Sequence, residues 1–521
     1  MREVPGRVNA EAMVLTVDAL LRERAADDGA GLKFEDTART WAECVVAAAR
    51  CADALAELVA GAAVPHVGIL ADNIPEFSDA IGGAALSGVV LVALNDTRSG
   101  RALARDVAHT DCAVVLADQA HLEQVRDIGV PVIQLDGEDW RGRLHGASVP
   151  DRKAAPGDLL MLVFTSGTSG DPKAVRLTHS AVAGAARYMV DRCGLTPDDV
   201  AYVSMPLFHT NALITGWGVA LAAGAALALR RRFSARGFLP DVRRFGATYA
   251  NYVGAPLAYI LATEERPGDA DNPLRIVYGN EGRPGDTAAF ARRFGCRLLD
   301  GYGSSELGIV IARTPDTPPE ALGVLPDGAD VLHADDDSPC PPARFGPGGE
   351  LLNAAAAVGE LVNTAGAGGF HGYYNDDAAN AVKLRGGWFR TGDLAYVDDA
   401  GFVYFAGRTG DWLRVAGENL GTAPIERVLL RHPDISEVAV YALPAEGVGD
   451  QVAAAVVLRP GASLDAEVFA GFVAAQPDLS VRQRPTRLRV ESELPHTASF
   501  KVAKRSLVSD GVAATVAVPP R

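Results

Sequence analysis

Ten consecutive residues, Phe164 to Lys173 (FTSGTSGDPK), bring together side chains suited to handling a polyphosphate. Thr165, Ser166, Thr168 and Ser169 can donate O–H groups, Gly167 and Gly170 let backbone N–H groups approach closely, and Lys173 can balance negative charge. The spacing differs from that of the Gly-Lys-Ser/Thr phosphate loop, because Asp171 and Pro172 stand between Gly170 and Lys173. An ordinary surface turn is the competing account, since Ser, Thr and Gly populate turns for reasons unrelated to ligands. The apolar run that leads in, Met161 to Phe164, reads as a buried strand able to anchor such a loop.

FTSGTSGDPK resembles the signature of the acyl-adenylate-forming superfamily, which contains acyl-CoA synthetases, the adenylation domains of peptide synthetases and the luciferases. Five further segments fall in the order in which that family places its motifs. YGNEGRPGD (Tyr278 to Asp286) resembles the adenine-contacting loop, with Gly279, Asn280 and Glu281 at the matching positions; read alone, it is also a plain strand-to-helix turn. DGYGSSE (Asp300 to Glu306) is similar to the aromatic-Gly-x-Thr/Ser-Glu motif. The resemblance implies that Tyr302 stacks on adenine, Ser305 bonds the α-phosphate and Glu306 holds Mg²⁺, a hard ion that favours carboxylate and phosphate oxygen.

WFRTGDLA (Trp388 to Ala395) resembles the motif whose aspartate, Asp393 here, accepts hydrogen bonds from the ribose hydroxyls. A carboxylate suits that task because it is acceptor-only and a diol supplies two donors, although Thr391 and Asp393 could equally cap a turn. GRTGDWLRVAGENL (Gly407 to Leu420) resembles the segment joining the large domain to a small C-terminal one, with Arg408 on ribose or phosphate and Gly410 at the pivot. Many relatives carry Asp or Lys there; glycine lowers the cost of a large φ/ψ change, so the hinge expectation stands. PHTASFKVAKR (Pro495 to Arg505) resembles the loop whose lysine, Lys501 here, bridges the substrate carboxylate and α-phosphate as charge builds at phosphorus. Phe500 occupies a place where relatives often have Gly. In PLFHTNAL (Pro206 to Leu213), His209 is expected on the wall of the acid pocket and not as a general base.

Phe500, the GRTGD…GEN pattern and YGNEGRPG together resemble the fatty-acid-transport or very-long-chain branch of the acyl-CoA synthetases. Transport-protein members of that branch carry an N-terminal membrane anchor, which is not expected here. The resemblance implies ATP-dependent conversion of a carboxylic acid to acyl-AMP with pyrophosphate release, then thioester formation with CoA. ATP, Mg²⁺ and CoA are the implied cofactors and co-substrate, with the catalytic roles on Lys501, Glu306 and Ser305. A carboxylate nucleophile needs no general base, so the demands fall on positioning and charge neutralisation. Leu307 follows Glu306 where many long-chain relatives have Gly, which points to a short or aromatic acid unless a smaller neighbour restores the volume. Two other readings stay open: an ATP-dependent diazotase that activates nitrite for an arylamine, and a non-catalytic nucleotide-binding protein, against which Lys501, Glu306, Asp393 and Arg408 argue.

The elements that must position these residues are legible in outline. Apolar runs near His66, Gly88, Cys112 and Val130 alternate with Ala-rich amphipathic stretches, the rhythm of parallel sheets covered by helices. Thr314 to Gly349 turns rich in Pro, Gly and Asp and reads as the periphery of a small β subdomain, while Leu394 to Arg408 reads as a hairpin turning at Asp398 to Gly401. The Ala- and Gly-rich stretch Gly346 to Glu360 has no evident role in the sequence. The expected fold is α/β: a large N-terminal domain (1–409) of parallel-sheet α/β subdomains plus a β subdomain, and a small mobile α+β C-terminal domain (410–521).

A length of 521 residues requires more than one core, and 48% hydrophobic content provides the means. A formal charge of -16 argues against nucleic acid or an anionic membrane surface as the partner; the resemblance implies a small-molecule acid and CoA as partners. Six cysteines without a closely spaced pair read as reduced thiols of a cytoplasmic protein, and the charge-dotted N-terminus makes a poor signal peptide. Ala212 to Leu229 is uncharged over 18 residues, yet its many alanines and glycines fit a small-residue helix packed on a sheet better than stable membrane insertion.

Overall fold

The computed structural model describes residues 15–146, 148–165, 172–347, 349, 351–408, 413–415, 418–445, 449–496 and 502–519. The chain forms two compact units, one of residues 1–167, 171–299 and 371–377, the other of 168–170, 300–370 and 378–521.

The first unit holds two largely parallel sheets. One runs in the order Val132–Gln134, Val114–Ala117, His66–Leu70, Val90–Ala93, Leu159–Thr165, Lys173–Thr178, with only the last pair antiparallel. Its central strands Val90–Ala93 and Val114–Ala117 are buried, unbroken apolar runs, as expected of a parallel sheet covered on both faces. Trp41–Leu58 starts at a capping box, in which Thr40 and Glu43 satisfy each other's backbone N–H groups, and packs against Pro75–Ser87. That contact explains the small residues of the second helix: a Cβ on Gly82 or Gly83 would lie 2.7 Å from Ala48 Cβ or 2.6 Å from Cys51 Cβ.

The second sheet of this unit pairs Ile276–Asn280, Tyr249–Val253, Val200–Val203, Ala226–Leu229 and Ala30–Phe34 in parallel, ending in the antiparallel Thr37–Thr40. The uncharged stretch from 212 to 229 is not one helix. It divides into a π-helical turn (Leu213–Gly218), a short helix (Val219–Ala223) and the buried strand Ala226–Leu229. Gly216 sits so close to Val203 that a Cβ would lie 2.7 Å from its Cγ2, so the close packing on a sheet is real although the helix is brief. Among the described residues no helix is long and apolar enough to cross a membrane.

The second unit contains an antiparallel sheet ordered Gly323–Val324, Phe402–Arg408, Phe389–Val397, Gly359–Asn363, Ala329–Leu332. The expected hairpin turns at Asp398, whose carboxylate accepts from the N–H groups of Ala400 and Phe402. The stretch without an evident role contributes a short helix, Ala354–Ala357, whose Ala357 packs with Leu394, Tyr396 and Ala406, and then enters Gly359–Asn363. The C-terminal part is α+β: Ile435–Ala445 and Gly449–Leu458 pair antiparallel, Arg487–Glu491 adds in parallel, and Thr422–Leu429 and Ala466–Ala474 bury Ile425, Leu429 and Phe469 in a common core. All six cysteines are free thiols.

Candidate functional site

In the first unit the strands deliver the phosphate-loop ends to one place. Thr165 closes Leu159–Thr165, Lys173 opens Lys173–Thr178, and the two are register partners across an antiparallel ladder, as a loop returning on itself requires. Lys173 Nζ lies 5.2 Å from the ring centroid of buried Tyr373, a cation–π distance that restrains the side chain. Ser166, Gly167, Thr168, Ser169 and Gly170 lie outside the described residues.

Gly279 and Asn280 end the strand Ile276–Asn280, and Glu281 follows with φ +64 before the helix Pro284–Phe294. Gly279 has no alternative: a Cβ would stand 2.3 Å from the Tyr252 carbonyl oxygen and 2.5 Å from its ring. Asn211, absent from the sequence-derived set, ties this edge together. Its Nδ2 donates to the Tyr252 carbonyl (3.1 Å) and reaches Asn280 Oδ1 (3.5 Å), while its Oδ1 accepts from Asn251 Nδ2 (2.6 Å). His209 precedes the turn that carries Asn211, its ring 4.5 Å from Phe208's, and its carbonyl accepts from Leu213 N (2.9 Å).

In the second unit Gly301–Gly303 pairs antiparallel with Val310–Ala312, and the reversal between them carries Ser305, Glu306 and Leu307. Leu307 N donates to the Ser304 carbonyl (3.1 Å) and Leu307 takes φ +56, a left-handed conformation unusual for a branched apolar residue. Tyr302, Asp393 and Arg408 come together here. Tyr302 Oη donates to Asp393 Oδ2 (2.6 Å), and Arg408 Nε lies 3.3 Å from Asp393 Oδ1. Burial, then the Asp393 carboxylate, pushes the Tyr302 phenol well above its ordinary pKa, so it stays a donor at neutral pH. Asp393 and Arg408 are cross-strand partners, which accounts for residues far apart in the motif list meeting at one carboxylate.

Sequence reasoning missed the layer beneath. Glu360 Oε1 accepts from Gly392 N (3.0 Å) and its Oε2 from Arg390 Nη1 (3.0 Å); Arg390 Nη2 meets Asp337 Oδ1 (2.6 Å). Arg390 holds the Asp337 carboxyl below its usual range. Lys383 Nζ donates to the Thr391 carbonyl (2.7 Å). A glutamate followed by two apolar residues, with an arginine on the next strand, was the only available signal, and it looks like any sheet pair. Gly410 and Lys501 lie outside the described residues. The ends of the Lys501 loop are described: His496 and Val502 form an antiparallel bridge, and Ala503 N donates to the Pro495 carbonyl (2.7 Å).

Asp72, Asp118 and His121 of the first unit gather three possible metal ligands. Asp72 is already paired with Arg232 Nε (2.8 Å) and Asp118 Oδ1 with His121 Nδ1 (2.5 Å), so the cluster neutralises itself.

This geometry agrees with the sequence matches, which cover the AMP-binding enzyme family over residues 21–374 and the C-terminal domain of AMP-binding enzymes over residues 424–501. The chain belongs to the AMP-binding enzyme family, and it is an AMP-forming ligase of the acyl-CoA synthetase kind. Its relatives include the medium/long-chain-fatty-acid–CoA ligase FadD17 of Mycobacterium marinum, 53% identical over 500 residues, with 95% of this chain and 96% of that protein covered. The steroid-22-oyl-CoA synthetase of Rhodococcus jostii is 42% identical, with 94% and 90% covered. Among solved structures, o-succinylbenzoate CoA synthetase (MenE) from Bacillus subtilis in complex with ATP and magnesium ion superposes with a TM-score of 0.79 at 25% identity, covering 94% of this chain and 99% of that one. These relatives favour the CoA-ligase reading over the diazotase and the non-catalytic nucleotide binder.

Proposed function

We propose that the protein joins an extended apolar carboxylic acid, of the medium- or long-chain fatty class, to CoA through an acyl-AMP intermediate. The observation that carries the nucleotide half is Asp393, one oxygen held by the Tyr302 hydroxyl at 2.6 Å and the other facing Arg408 at 3.3 Å, a carboxylate oriented for a ribose diol. The acid class draws on the relatives named above.

In the first half-reaction a carboxylate oxygen attacks the α-phosphorus of ATP, the bond to the bridging oxygen breaks and pyrophosphate leaves. Thr165, Ser166, Gly167, Thr168, Ser169, Gly170 and Lys173 grip the departing phosphates. Gly279, Asn280, Glu281 and Tyr302 hold adenine, and Ser305 bonds the α-phosphate. Lys501 neutralises the charge that develops between acid and phosphorus. Glu306 would hold Mg²⁺, which when bound offsets the charge on the phosphate oxygens. In the second half-reaction the CoA sulfur attacks the acyl carbon and AMP leaves with the bonding electron pair. The partition into residues 1–409 and 410–521, turning at Gly410, lets Lys501 serve the first step and withdraw for the second. His209 and Leu307 line the acid's path; the short or aromatic acid that Leu307 suggests in the sequence gives way here to the acid class of the relatives.

The test is ATP-dependent AMP and pyrophosphate release across fatty, steroid side-chain and aryl acids, and nitrite with an arylamine, each with and without CoA. CoA-dependent AMP release with fatty acids is expected, and Lys501→Ala should suppress pyrophosphate release. Turnover confined to nitrite plus arylamine, or equal slow release by wild type and Lys501→Ala with every acid, would overturn the proposal.

A further inference from the structure

Between Phe389–Val397 and Gly359–Asn363 the ladder is irregular at the residues that carry the ribose carboxylate. Glu360 pairs with Leu394 and Val362 with Arg390, so Leu361 alone faces the three residues Thr391, Gly392 and Asp393. A bulge of this kind re-aims side chains and removes regular ladder bonds, and it persists only if other groups hold the backbone. Here side chains do so. Thr391 Oγ1 donates to the Leu361 carbonyl (2.7 Å) and accepts from Asp393 N (3.0 Å), while Gly392, at φ +74, donates its N–H to Glu360 Oε1 (3.0 Å).

Glu360 is in turn fixed by charge. Its Oε2 meets Arg390 Nη1 at 3.0 Å, with side chains 13% and 6% exposed, and Arg390 is held from its far side by Asp337. A buried carboxylate with both oxygens used is a rigid acceptor, and a hydrogen bond to an ionised group is about twice as strong as a neutral one. One oxygen of Glu360 neutralises Arg390, and the other holds the backbone N–H immediately before Asp393.

We infer that Glu360 is a positioning residue for nucleotide binding: it clamps the bulge at Gly392 and so sets the direction in which Asp393 meets the ribose. This rests on the assignment of Asp393 to ribose. Asp337 gives an internal control, because it braces Arg390 without touching the bulge. Glu360→Gln is informative too: its amide oxygen can still accept from Gly392, but its NH₂ group would face the Arg390 donor.

The experiment measures the ATP KM, acid KM, kcat and melting temperature of Glu360→Ala, Glu360→Gln, Asp337→Asn and Asp393→Ala. Losing one charge-assisted hydrogen bond predicts an ATP KM raised about tenfold or more in Glu360→Ala, with the acid KM within about twofold of wild type. Glu360→Gln, the variant that keeps the proposal testable if the alanine form does not fold, should raise ATP KM less than Glu360→Ala but by more than about twofold. Asp337→Asn should lower the melting temperature and leave ATP KM within about twofold. The inference fails if ATP KM in the foldable Glu360 variants stays at the wild-type value while Asp393→Ala raises it. It fails equally if Asp337→Asn raises ATP KM as much as they do, since general destabilisation then explains the effect. An unchanged ATP KM in Asp393→Ala would overturn the ribose assignment itself, and this inference with it.

Discussion

His179 offers a quantitative test of how the scaffold behind Lys173 is held. It is the first residue of the helix His179–Cys193, directly after the strand that Lys173 opens, and it is fully buried. Its backbone N–H donates to the Asp158 carbonyl (3.0 Å), but neither ring nitrogen has a hydrogen-bond partner among the described residues. Burial lowers its pKa from 6.5 to about 4; the nearby Asp158 opposes the shift and Arg152 adds to it. The folded state therefore keeps the ring neutral where the unfolded chain protonates it. Above pH 6.5 the group is neutral in both states and contributes nothing pH-dependent; as pH falls from 6.5 to 4 the unfolded state is favoured and stability is lost. Linkage with those two pKa values gives a loss of about 2 kcal/mol between pH 7.5 and pH 5.0. His179→Leu removes the titrating group while keeping an apolar side chain of similar bulk. Urea unfolding at both pH values, following the transition of the first unit, should show wild type losing about 2 kcal/mol more than His179→Leu. If the two proteins lose the same stability within about 0.5 kcal/mol, the ring is not held neutral and the burial argument is wrong.

Tyr302→Phe keeps the ring proposed to stack on adenine but removes the donor to Asp393. ATP KM should rise about tenfold with kcat changed by less than about threefold, and initial-rate kinetics would exclude the orienting role if ATP KM stayed constant. Gly279→Ala places a Cβ 2.3 Å from the Tyr252 carbonyl oxygen, which cannot move without breaking the strand pairing. A stability loss of about 2 kcal/mol or more and loss of ATP-dependent pyrophosphate release are expected, and a stable, active Gly279→Ala protein would refute the close approach.

The motifs were legible because each combines chemistry with backbone demands. Gly279 is required by the Tyr252 carbonyl, and the Asp398 turn by its own carboxylate. The strands near His66, Gly88, Cys112 and Val130 were legible because a sheet covered on both faces leaves an unbroken apolar run. What escaped were relations between distant residues. Nothing in the sequence joins Glu360 to Gly392, or Asn211 to Asn280, because a side chain that replaces a ladder bond looks like any other polar residue. The uncharged stretch from 212 to 229 also misled in part: alanine and glycine serve a helix and a closely packed strand equally, so composition could not mark the break at Gly224.

Residues 371–377 belong to the first unit although the chain on either side of them belongs to the second. Val175 bridges to Tyr373, Arg176 N donates to the Gly372 carbonyl (3.0 Å), Tyr374 N donates to the Ala174 carbonyl (2.8 Å), and Tyr374 Oη donates to Asp111 Oδ2 (2.8 Å). On the ribosome, the strand that Lys173 opens must therefore wait for roughly two hundred more residues before its last neighbour emerges. At synthesis rates of about 5–20 residues per second that is a delay of tens of seconds. During this interval one edge of the strand is bare, so the newborn chain is vulnerable to wrong partners at the element proposed to grip ATP.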